Sequence, residues 1–235
     1  MSDAEERLKN YLNDKAIAYV CPGYHLVGKE LGTYIDSFDV VIRCGQNFNI
    51  PEQCKKDYGN RTDILITNFN GFTIDSMIRT NDNLYIRNMK FIISLIWPDN
   101  DSANILKNQF GFNMDNLYVF TQAERELCFL PHTGFIGLGF LLKLNIKKMF
   151  LCGMSFYNMG EFGRIWYDEL FDDQAKADEL TSMSDVVNRT ISKRILDMPG
   201  SHSISSEIEC FRNVLLPKYK NKLELDFYLK EKFGG

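Results

Sequence analysis

Two residues near the carboxyl-terminal end of the sequence have the types of a general base and its partner: His202 and Glu207. Histidine exchanges a proton near neutral pH, which suits it to general-base catalysis. His202 follows Pro199 and Gly200 and is expected to open a helix, whose dipole favours the neutral, basic form of the ring. Five helical residues turn through about 140°, so Glu207 acts either on the ring directly or through the backbone. We predict that both residues are catalytic.

A second place for chemistry is the expected start of a helix at Thr133 and Gly134, which are predicted to supply its cap and first turn. The first N–H groups of a helix have no partner inside the helix, and they bind anions such as phosphate. A phosphate or a ribose is therefore the expected ligand of these two residues. His132 beside them and His25 in an earlier loop are further candidates for contact with a phosphate.

Short apolar runs with β-branched side chains indicate the strands that would position these residues. Each run is largely apolar on both faces, as in the buried strands of a parallel sheet. The six runs are Ala16–Cys21, Asp39–Arg43, Asp63–Thr67, Lys90–Ile96, Leu117–Phe120 and Lys148–Cys152. Helical patterns lie between them, clearest over Thr133–Leu144, and another helix is expected from about Ser203 to Leu215.

The alternation of strands and helices predicts an α/β fold: a doubly wound, mostly parallel, Rossmann-like sheet with helices on both faces. A chain of 235 residues without repeats or a long linker is expected to form a single domain, 1–235. Ligands of such sheets bind at the carboxyl ends of the strands. The site is therefore expected in the loops that follow Cys21, Arg43, Phe120 and Gly153.

The composition disfavours several functions and suggests a compartment. The formal net charge of −4 disfavours a basic surface for nucleic acid. The first residues, MSDAEERLKNYLNDK, contain no apolar stretch of the kind found in a signal peptide or a membrane anchor. The cysteines form no CxxC pair and no metal-ligand spacing, which favours free thiols in a reducing compartment. The sequence thus predicts a cytoplasmic protein without a transmembrane segment.

One phosphate-binding motif is nearly present in the loop after the first run. The stretch from Gly23 to Glu30, GYHLVGKE, differs at one position from the G-x-x-x-x-G-K-[ST] loop of nucleoside triphosphatases. Glu30 stands where a hydroxyl would bind magnesium, and its carboxylate would repel the phosphates. The loop also lacks the G-x-G-x-x-G of nicotinamide-cofactor enzymes, and the chain has no G-x-S-x-G of hydrolases. These three classes of enzyme are therefore disfavoured.

Three segments, in order along the chain, resemble glycosyltransferase family 29, the sialyltransferases. Tyr19–Gln46 resembles the family's large motif, with an Ile-Asp-x-x-Asp-x-x-Ile-Arg run over 35–43 and a Gly-Asn-Arg-Thr stretch following at 59–62. Pro131–Phe156 is similar to the small motif, which has Pro-x-Thr-Gly, a helix, a strand and a glycine. The histidine–glutamate spacing described above matches the His-x4-Glu of the family's very short motif.

The resemblance implies an inverting, metal-independent transferase. Such an enzyme moves a sugar, sialic acid by default, from a CMP-sugar donor to a hydroxyl of a glycan or glycoconjugate. His202 takes the role of the general base. The residues implied in binding the nucleotide sugar are Gly23, Tyr24, Gln46, Thr133, Gly134, Gly153 and Tyr167. The donor is the only small molecule that the resemblance implies, with no cofactor and no metal.

Some positions depart from the family pattern. Pro22 and Gly45 stand where the family usually has asparagines, the first of which contacts the CMP. The stretch Ile165–Asp168 lacks the leading His or Tyr of the family's third motif. The donor sugar is therefore open between sialic acid and the related acid Kdo. A non-catalytic nucleotide- or glycan-binding protein with this fold is a further alternative, against which the presence of the histidine–glutamate pair argues.

Asp36 and Asp39 bear on the expectation that no metal takes part. Their D-x-x-D spacing differs from the D-x-D that binds a metal in other glycosyltransferases. They also lie at the start of a strand, the end away from the expected ligand, and are predicted to be turn and cap residues. Sugar transfer is therefore expected to continue in EDTA, measured as the rate with and without the chelator. Loss of turnover that manganese restores would contradict this prediction.

Overall fold

A computed structural model describes residues 3–45, 50, 52–69, 83–129, 131–156 and 204–234. Within these ranges the chain forms a seven-stranded sheet in the order β5-β4-β3-β2-β1-β6-β7. The strands are β1 (Ala16–Val20), β2 (Val40–Cys44), β3 (Ile64–Thr67), β4 (Phe91–Ser94), β5 (Leu117–Val119), β6 (Lys148–Cys152) and β7 (Leu223–Leu225). Every neighbouring pair is parallel. In the centre, Ala18 of β1 is in register with Val41 of β2 and Phe150 of β6.

Helices connect the strands and cover both faces of the sheet. The α-helices are α1 (Asp3–Leu12), α2 (Gly32–Asp36), α3 (Lys55–Tyr58), α4 (Asn83–Asn88), α5 (Asn100–Asn104), α6 (Gln122–Arg125), α7 (Thr133–Lys143), α8 (Ile204–Cys210), α9 (Leu216–Tyr219) and α10 (Phe227–Phe233). A π-helical turn follows α5 over Ile105–Gln109, and another joins α8 to α9 over Phe211–Leu215. Short 3₁₀ turns lie at Tyr24–Leu26, Glu52–Cys54 and Met114–Asn116.

The strands are apolar on both faces because each face carries its own core. Ile17 and Tyr19 of β1 point into a core shared with α1, α7 and α8, and both are fully buried. Ala18 and Val20, the alternate residues, pack in a core on the other face together with Ile35 of α2. Side chains on successive strand residues point to opposite faces, so a strand covered on both sides cannot show a polar alternation.

The predicted doubly wound, Rossmann-like α/β sheet is confirmed, and its described strands are all parallel. All six predicted strands are present, although some begin or end one or two residues from the expected positions. Aspartates account for part of the difference at the strand starts. Asp39 accepts a hydrogen bond from the Ala16 N–H at 2.8 Å, and Asp63 accepts one from the Val41 N–H at 2.8 Å. These side chains join neighbouring strands at the amino edge of the sheet, ahead of their own strands.

Two expectations were incomplete and one was wrong. The strand β7 was not predicted, because it has three residues and only Leu225 is buried. The helix expected from Ser203 to Leu215 is described from Ile204 and changes to a π-helical turn at Phe211. The prediction that Thr133 caps α7 is wrong: His132 is the extended N-cap residue, with φ −71° and ψ 154°.

Asp36 has the turn role that the sequence predicts. It ends α2, and its carboxylate accepts hydrogen bonds from the N–H groups of Asn60 at 2.7 Å and Arg61 at 3.1 Å. The backbone carbonyl of Asp36 accepts a further hydrogen bond from the Arg61 guanidinium at 2.8 Å. The Gly-Asn-Arg-Thr stretch is thereby held against the end of α2, at the edge of the sheet opposite the carboxyl ends of the strands.

Two further properties concern the whole described chain. Across the described ranges, the structure shows no helix that is both long enough and apolar enough to span a bilayer. All six cysteines fall within those ranges, and each is a free thiol.

Candidate active site

The order of the strands places a switch point at β1, where open α/β sheets have a crevice at the carboxyl edge. The chain proceeds from β1 to β2 on one side, whereas β6 and β7 lie on the other side of β1. The connections that leave β1 and β6 therefore diverge, and ligands of open α/β sheets bind where this happens. The loops after Val20 and Cys152 form this part of the edge.

Two of the predicted binding residues, Gly23 and Gly153, meet at this point. The Gly23 N–H donates a hydrogen bond to the Gly153 carbonyl oxygen at 2.7 Å. Gly153 has φ +73°, and a Cβ there would lie 2.0 Å from the Cys21 carbonyl oxygen. A side chain at this position would therefore collide with the neighbouring loop as well as strain the backbone. The two glycines bring the loops after β1 and β6 into direct contact.

A carboxylate that the sequence analysis missed, Asp226, holds this junction. Its Oδ2 atom accepts hydrogen bonds from the Gly153 N–H at 2.8 Å and from His25 Nε2 at 2.9 Å. Its Oδ1 atom accepts one from the Leu229 N–H at 2.8 Å, so the same residue caps α10. Asp226 is only 3% exposed, and a buried carboxylate needs such partners because it has lost its water.

His25 is part of this structural junction, so the suggestion that it contacts a phosphate is wrong. Its side chain is fully buried, and the ring stacks on Tyr228 with the centroids 4.3 Å apart. The hydrogen bond from Nε2 to Asp226 also fixes the ring. His25 therefore ties the loop after β1 to the segment that follows β7.

Tyr58 and Arg43 hold the same loop from the opposite side. The Tyr58 hydroxyl donates a hydrogen bond to the Gly23 carbonyl oxygen at 2.9 Å. The Tyr58 carbonyl oxygen accepts one from Arg43 Nη2 at 2.7 Å. Arg43 is fully buried, and its Nε atom donates to the carbonyl oxygen of Arg61 at 2.9 Å. The Arg43 guanidinium therefore binds backbone carbonyl oxygens beneath the loop and does not lie at the edge of the sheet.

The near-match to a triphosphate-binding loop has a different geometry. Helix α2 begins at Gly32, three residues after the lysine of the motif, so no α-helix starts at the motif itself. The Glu30 carboxylate forms an exposed ion pair with Lys56 at 2.7 Å. The N–H groups of Gly28 and Glu30, which would bind phosphate in that motif, donate to the Asp57 carboxylate. These donors of the loop are thus bound by Asp57, in agreement with the expectation that a nucleoside triphosphatase is disfavoured.

The start of α7 lies over the ends of β1 and β2. The Gly134 carbonyl oxygen accepts a hydrogen bond from the Tyr19 hydroxyl at 2.6 Å. A Cβ placed on Gly134 would lie 3.3 Å from the Sγ atom of Cys44, the last residue of β2. Thr133 and Gly134, both half-buried, are the first two residues of the helix. Their N–H groups belong to the first turn, where a helix leaves its donors to other partners.

Glu207, predicted to be catalytic, contacts His132. Its Oε1 atom accepts hydrogen bonds from the His132 backbone N–H and from His132 Nδ1, the latter at 2.9 Å. The Glu207 side chain is 3% exposed and that of His132 is 12% exposed. The neighbouring Ser206 hydroxyl accepts a hydrogen bond from the Phe129 N–H at 3.1 Å. Helix α8 is therefore attached to the segment that leads into α7.

The thiols of Cys21 and Cys152, near the carboxyl edge of the sheet, are buried and have raised pKa values. Burial raises the pKa of Cys21 well above its usual range, and the Cys44 thiol 3.1 Å away adds to this shift. Burial also raises the pKa of Cys152, with a further contribution from the Asp226 carboxylate. A thiol is nucleophilic only as the thiolate, so these residues act as small buried hydrophobes.

The predicted site residues thus have different outcomes. Gly23 and Gly153 form one junction, while Thr133 and Gly134 begin the helix beside it. Three predicted residues lie outside the described residues: Gln46, Tyr167 and His202. Tyr24 is described only through its backbone, in the 3₁₀ turn after β1. Among the described residues, no group of three or more His, Cys, Asp or Glu side chains is arranged to hold a metal ion.

Replacing Asp226 tests the importance of the junction. Asp226→Ala removes a buried acceptor of three hydrogen bonds and is expected to lower the free energy of unfolding by roughly 3–5 kcal/mol. Urea denaturation followed by circular dichroism measures the change. Glu231→Ala, which removes an exposed carboxylate from the same helix, is the matched control. Equal stability of the two variants would show that Asp226 does not hold the junction.

Comparisons with known proteins concern the family and the fold of the chain. Residues 13–123 match the model of glycosyltransferase family 29 (sialyltransferase). This range contains the first of the three segments noted above and ends before the second. No sequence match to a curated protein was found.

Solved structures share the fold. A mammalian sialyltransferase matches with a TM-score of 0.50 and 15% identity, over 90% of this chain and 68% of that chain. A mammalian sialyltransferase in complex with Gal-beta-1-3GalNAc-ortho-nitrophenol matches with a TM-score of 0.51 and 14% identity, over 92% of this chain and 71% of that chain. The resemblance predicted from the sequence is therefore confirmed: the chain is similar to glycosyltransferase family 29, the sialyltransferases, in sequence over residues 13–123 and in fold over its described residues.

Proposed function

We propose that this protein is an inverting glycosyltransferase that moves a sugar from a CMP-sugar donor to a hydroxyl of a glycan or glycoconjugate. Sialic acid is the default sugar, since the family resemblance supports a sialyltransferase-like activity. One observation carries the proposal. The hydrogen bond between Glu207 and His132 joins the third family-like segment to the second. The helix that follows His132 lies beside the carboxyl ends of the strands that the first segment contains. These contacts support a shared site for segments that are far apart in the sequence.

The geometry suits the chemistry of a CMP-linked sugar. Transfer needs donors that stabilise the departing phosphate and a base that takes the proton of the acceptor hydroxyl. The first N–H groups of α7, at Thr133 and Gly134, are of the kind that bind phosphate. His202 lies two residues ahead of Ile204, the first described residue of α8, and is proposed as the base. The proposed reaction uses no metal.

Nucleotide preference tests the donor. CMP is expected to raise the melting temperature more than UDP, GDP, ADP or NAD, because the three segments resemble those of enzymes with a cytidine site. At a hundred times its dissociation constant, a ligand stabilises by about 2.7 kcal/mol, or roughly 5–10 °C for a chain of this size. Differential scanning fluorimetry measures the shift. A larger shift with UDP or NAD would refute the proposed donor.

Replacing the proposed base separates binding from catalysis. His202→Ala is expected to lower the single-turnover transfer rate by roughly 10²–10⁴-fold, the usual contribution of a positioned base, while calorimetry shows little change in CMP affinity. Ser201→Ala, at the adjacent position, is the control and should transfer sugar at the rate of the natural protein. Transfer by His202→Ala at a near-normal rate would show that another group is the base.

CMP affinity and the transfer rate also distinguish the alternative functions and donors. A protein that binds CMP but transfers neither sialic acid nor Kdo to any of a panel of glycan acceptors would be a non-catalytic binder. Transfer from CMP-Kdo and not from CMP-sialic acid would assign the other donor. The two donors share the nucleotide and the phosphate, so the roles proposed for the start of α7 hold in either case.

A further inference from the structure

Lysines are concentrated at the amino edge of the sheet, around the starts of β1, β6 and β7. Lys15 directly precedes β1, Lys147 precedes β6 and Lys222 precedes β7. We propose that these lysines and their neighbours form a surface that binds an anionic lipid bilayer. The surface lies at the edge opposite the candidate active site, and the inference does not rest on the proposed function.

The fold brings these three lysines together although they are far apart in the sequence. β1, β6 and β7 are successive strands of the sheet. Neighbouring strands lie about 4.8 Å apart, so the three strand starts fall within about 10 Å. The Lys147 N–H donates a hydrogen bond to the Lys15 carbonyl oxygen at 2.9 Å, and the Lys222 carbonyl oxygen accepts one from the Met149 N–H at 2.7 Å. Backbone hydrogen bonds therefore fix the three positions.

Two helix ends add further lysines at the same edge. Lys143 is the last residue of α7, and the carbonyl oxygen of the next residue, Leu144, accepts a hydrogen bond from Lys222 Nζ at 3.1 Å. Lys218 belongs to α9, and Lys220 follows that helix just ahead of β7. These positions together form the lysine patch, which consists of Lys15, Lys143, Lys147, Lys218, Lys220 and Lys222. Five of these lysines are exposed, and Lys222 is half-buried.

The patch is positive in a protein that is negative as a whole. The stretches 13–16, 143–149 and 218–224 contain seven lysines and two carboxylates, whereas the formal net charge of the chain is −4. The seventh lysine, Lys148, lies 3.9 Å from the Glu224 carboxylate, and the other carboxylate is that of Asp14. Among the described residues, no carboxylate forms an ion pair with a lysine of the patch. Such an asymmetry turns the patch toward an anionic surface.

The chemistry of the patch favours lipid headgroups over nucleic acid. Its cations are all lysines, which act as flexible point charges, whereas arginine has the rigid fork that suits recognition of nucleic acid. Clusters of four to eight basic residues bind bilayers that contain anionic lipids. Val214, which is 51% exposed, lies four helical residues before Lys218 and thus on the same face. An apolar side chain beside lysines can enter the boundary between headgroups and acyl chains.

Binding through the patch leaves the candidate active site accessible. β1 and β6 each have five residues. At about 3.3 Å per residue, the carboxyl edge of the sheet lies about 16 Å from the patch. A bilayer at the amino edge is therefore on the side away from the junction of Gly23 and Gly153, so lipid and a ligand of the crevice can bind together.

Vesicle binding tests the inference. Vesicles of phosphatidylcholine with about 30% phosphatidylserine are compared with vesicles of phosphatidylcholine alone, and cosedimentation measures the bound fraction. We expect binding only to the vesicles with phosphatidylserine. Binding should disappear as sodium chloride is raised from about 0.1 M to about 1 M, because the screening length falls from about 10 Å to about 3 Å.

Removing charges from the patch should weaken this binding. The combination of Lys15→Gln, Lys147→Gln and Lys220→Gln removes three charges from exposed positions. We expect the affinity for vesicles with phosphatidylserine to fall about 100-fold, at about fivefold for each lysine. The melting temperature, followed by circular dichroism, should stay close to that of the natural protein, which shows that the variant is folded.

A matched variant separates the patch from the net charge. The combination of Lys29→Gln, Lys56→Gln and Lys107→Gln removes the same charge from exposed positions outside the patch. Its affinity for the same vesicles should change less than about threefold, because surface charges more than a screening length away contribute little. A loss confined to the variant of the patch supports the inference.

Three results would overturn the proposed surface. They are equal losses in the two variants, no binding of the natural protein to vesicles with phosphatidylserine, and tighter binding to duplex DNA than to these vesicles at the same salt concentration. CMP affinity is measured in parallel and should be the same in both variants, since the patch lies at the other edge of the sheet. Failure to bind CMP would refute the proposed function and leave the lipid surface standing.

Discussion

The Asp226 carboxylate is the interaction on which the carboxyl edge of the sheet depends. Where parallel strands end, their backbone groups lose their partners in the sheet and need others. Asp226 supplies an acceptor to the loop after β6 through the Gly153 N–H, to the loop after β1 through His25, and to the first turn of α10. The glycine junction above it can be this close because neither residue has a side chain. The walls of the crevice therefore have a common anchor.

Much of the fold could be predicted from the sequence because burial on both faces leaves a strong local signal. Continuous apolar runs identified six strands, and their alternation with helices identified the sheet. The strand β7 was missed, since Leu223 and Glu224 are only half-buried and the run is too short to stand out. The π-helical turn at Phe211–Leu215 has no sequence signature that distinguishes it from an ordinary helix.

The site was less predictable because its contacts join distant parts of the chain. The order of the three segments indicated the family, but Glu207 and His132 lie 75 residues apart and no local pattern pairs them. The sequence presents His25 as a candidate for contact with a ligand, whereas the fold places it against Asp226. Two signals were present in the sequence: Arg43, a charge inside an apolar strand, and Asp226, an aspartate directly ahead of a helix.

His25 and Asp226 lie 201 residues apart in the sequence, so the ribosome synthesises them at different times. Ribosomes add roughly 5–20 residues per second, so the histidine is made roughly 10–40 seconds before its partner. Strands β1 and β2 lie close together in sequence and can pair within that interval. The loop between them lacks its hydrogen bond to Asp226 until the carboxyl-terminal part of the chain has been made. A nascent chain can thus assemble much of the sheet before the loops at its carboxyl edge are fixed.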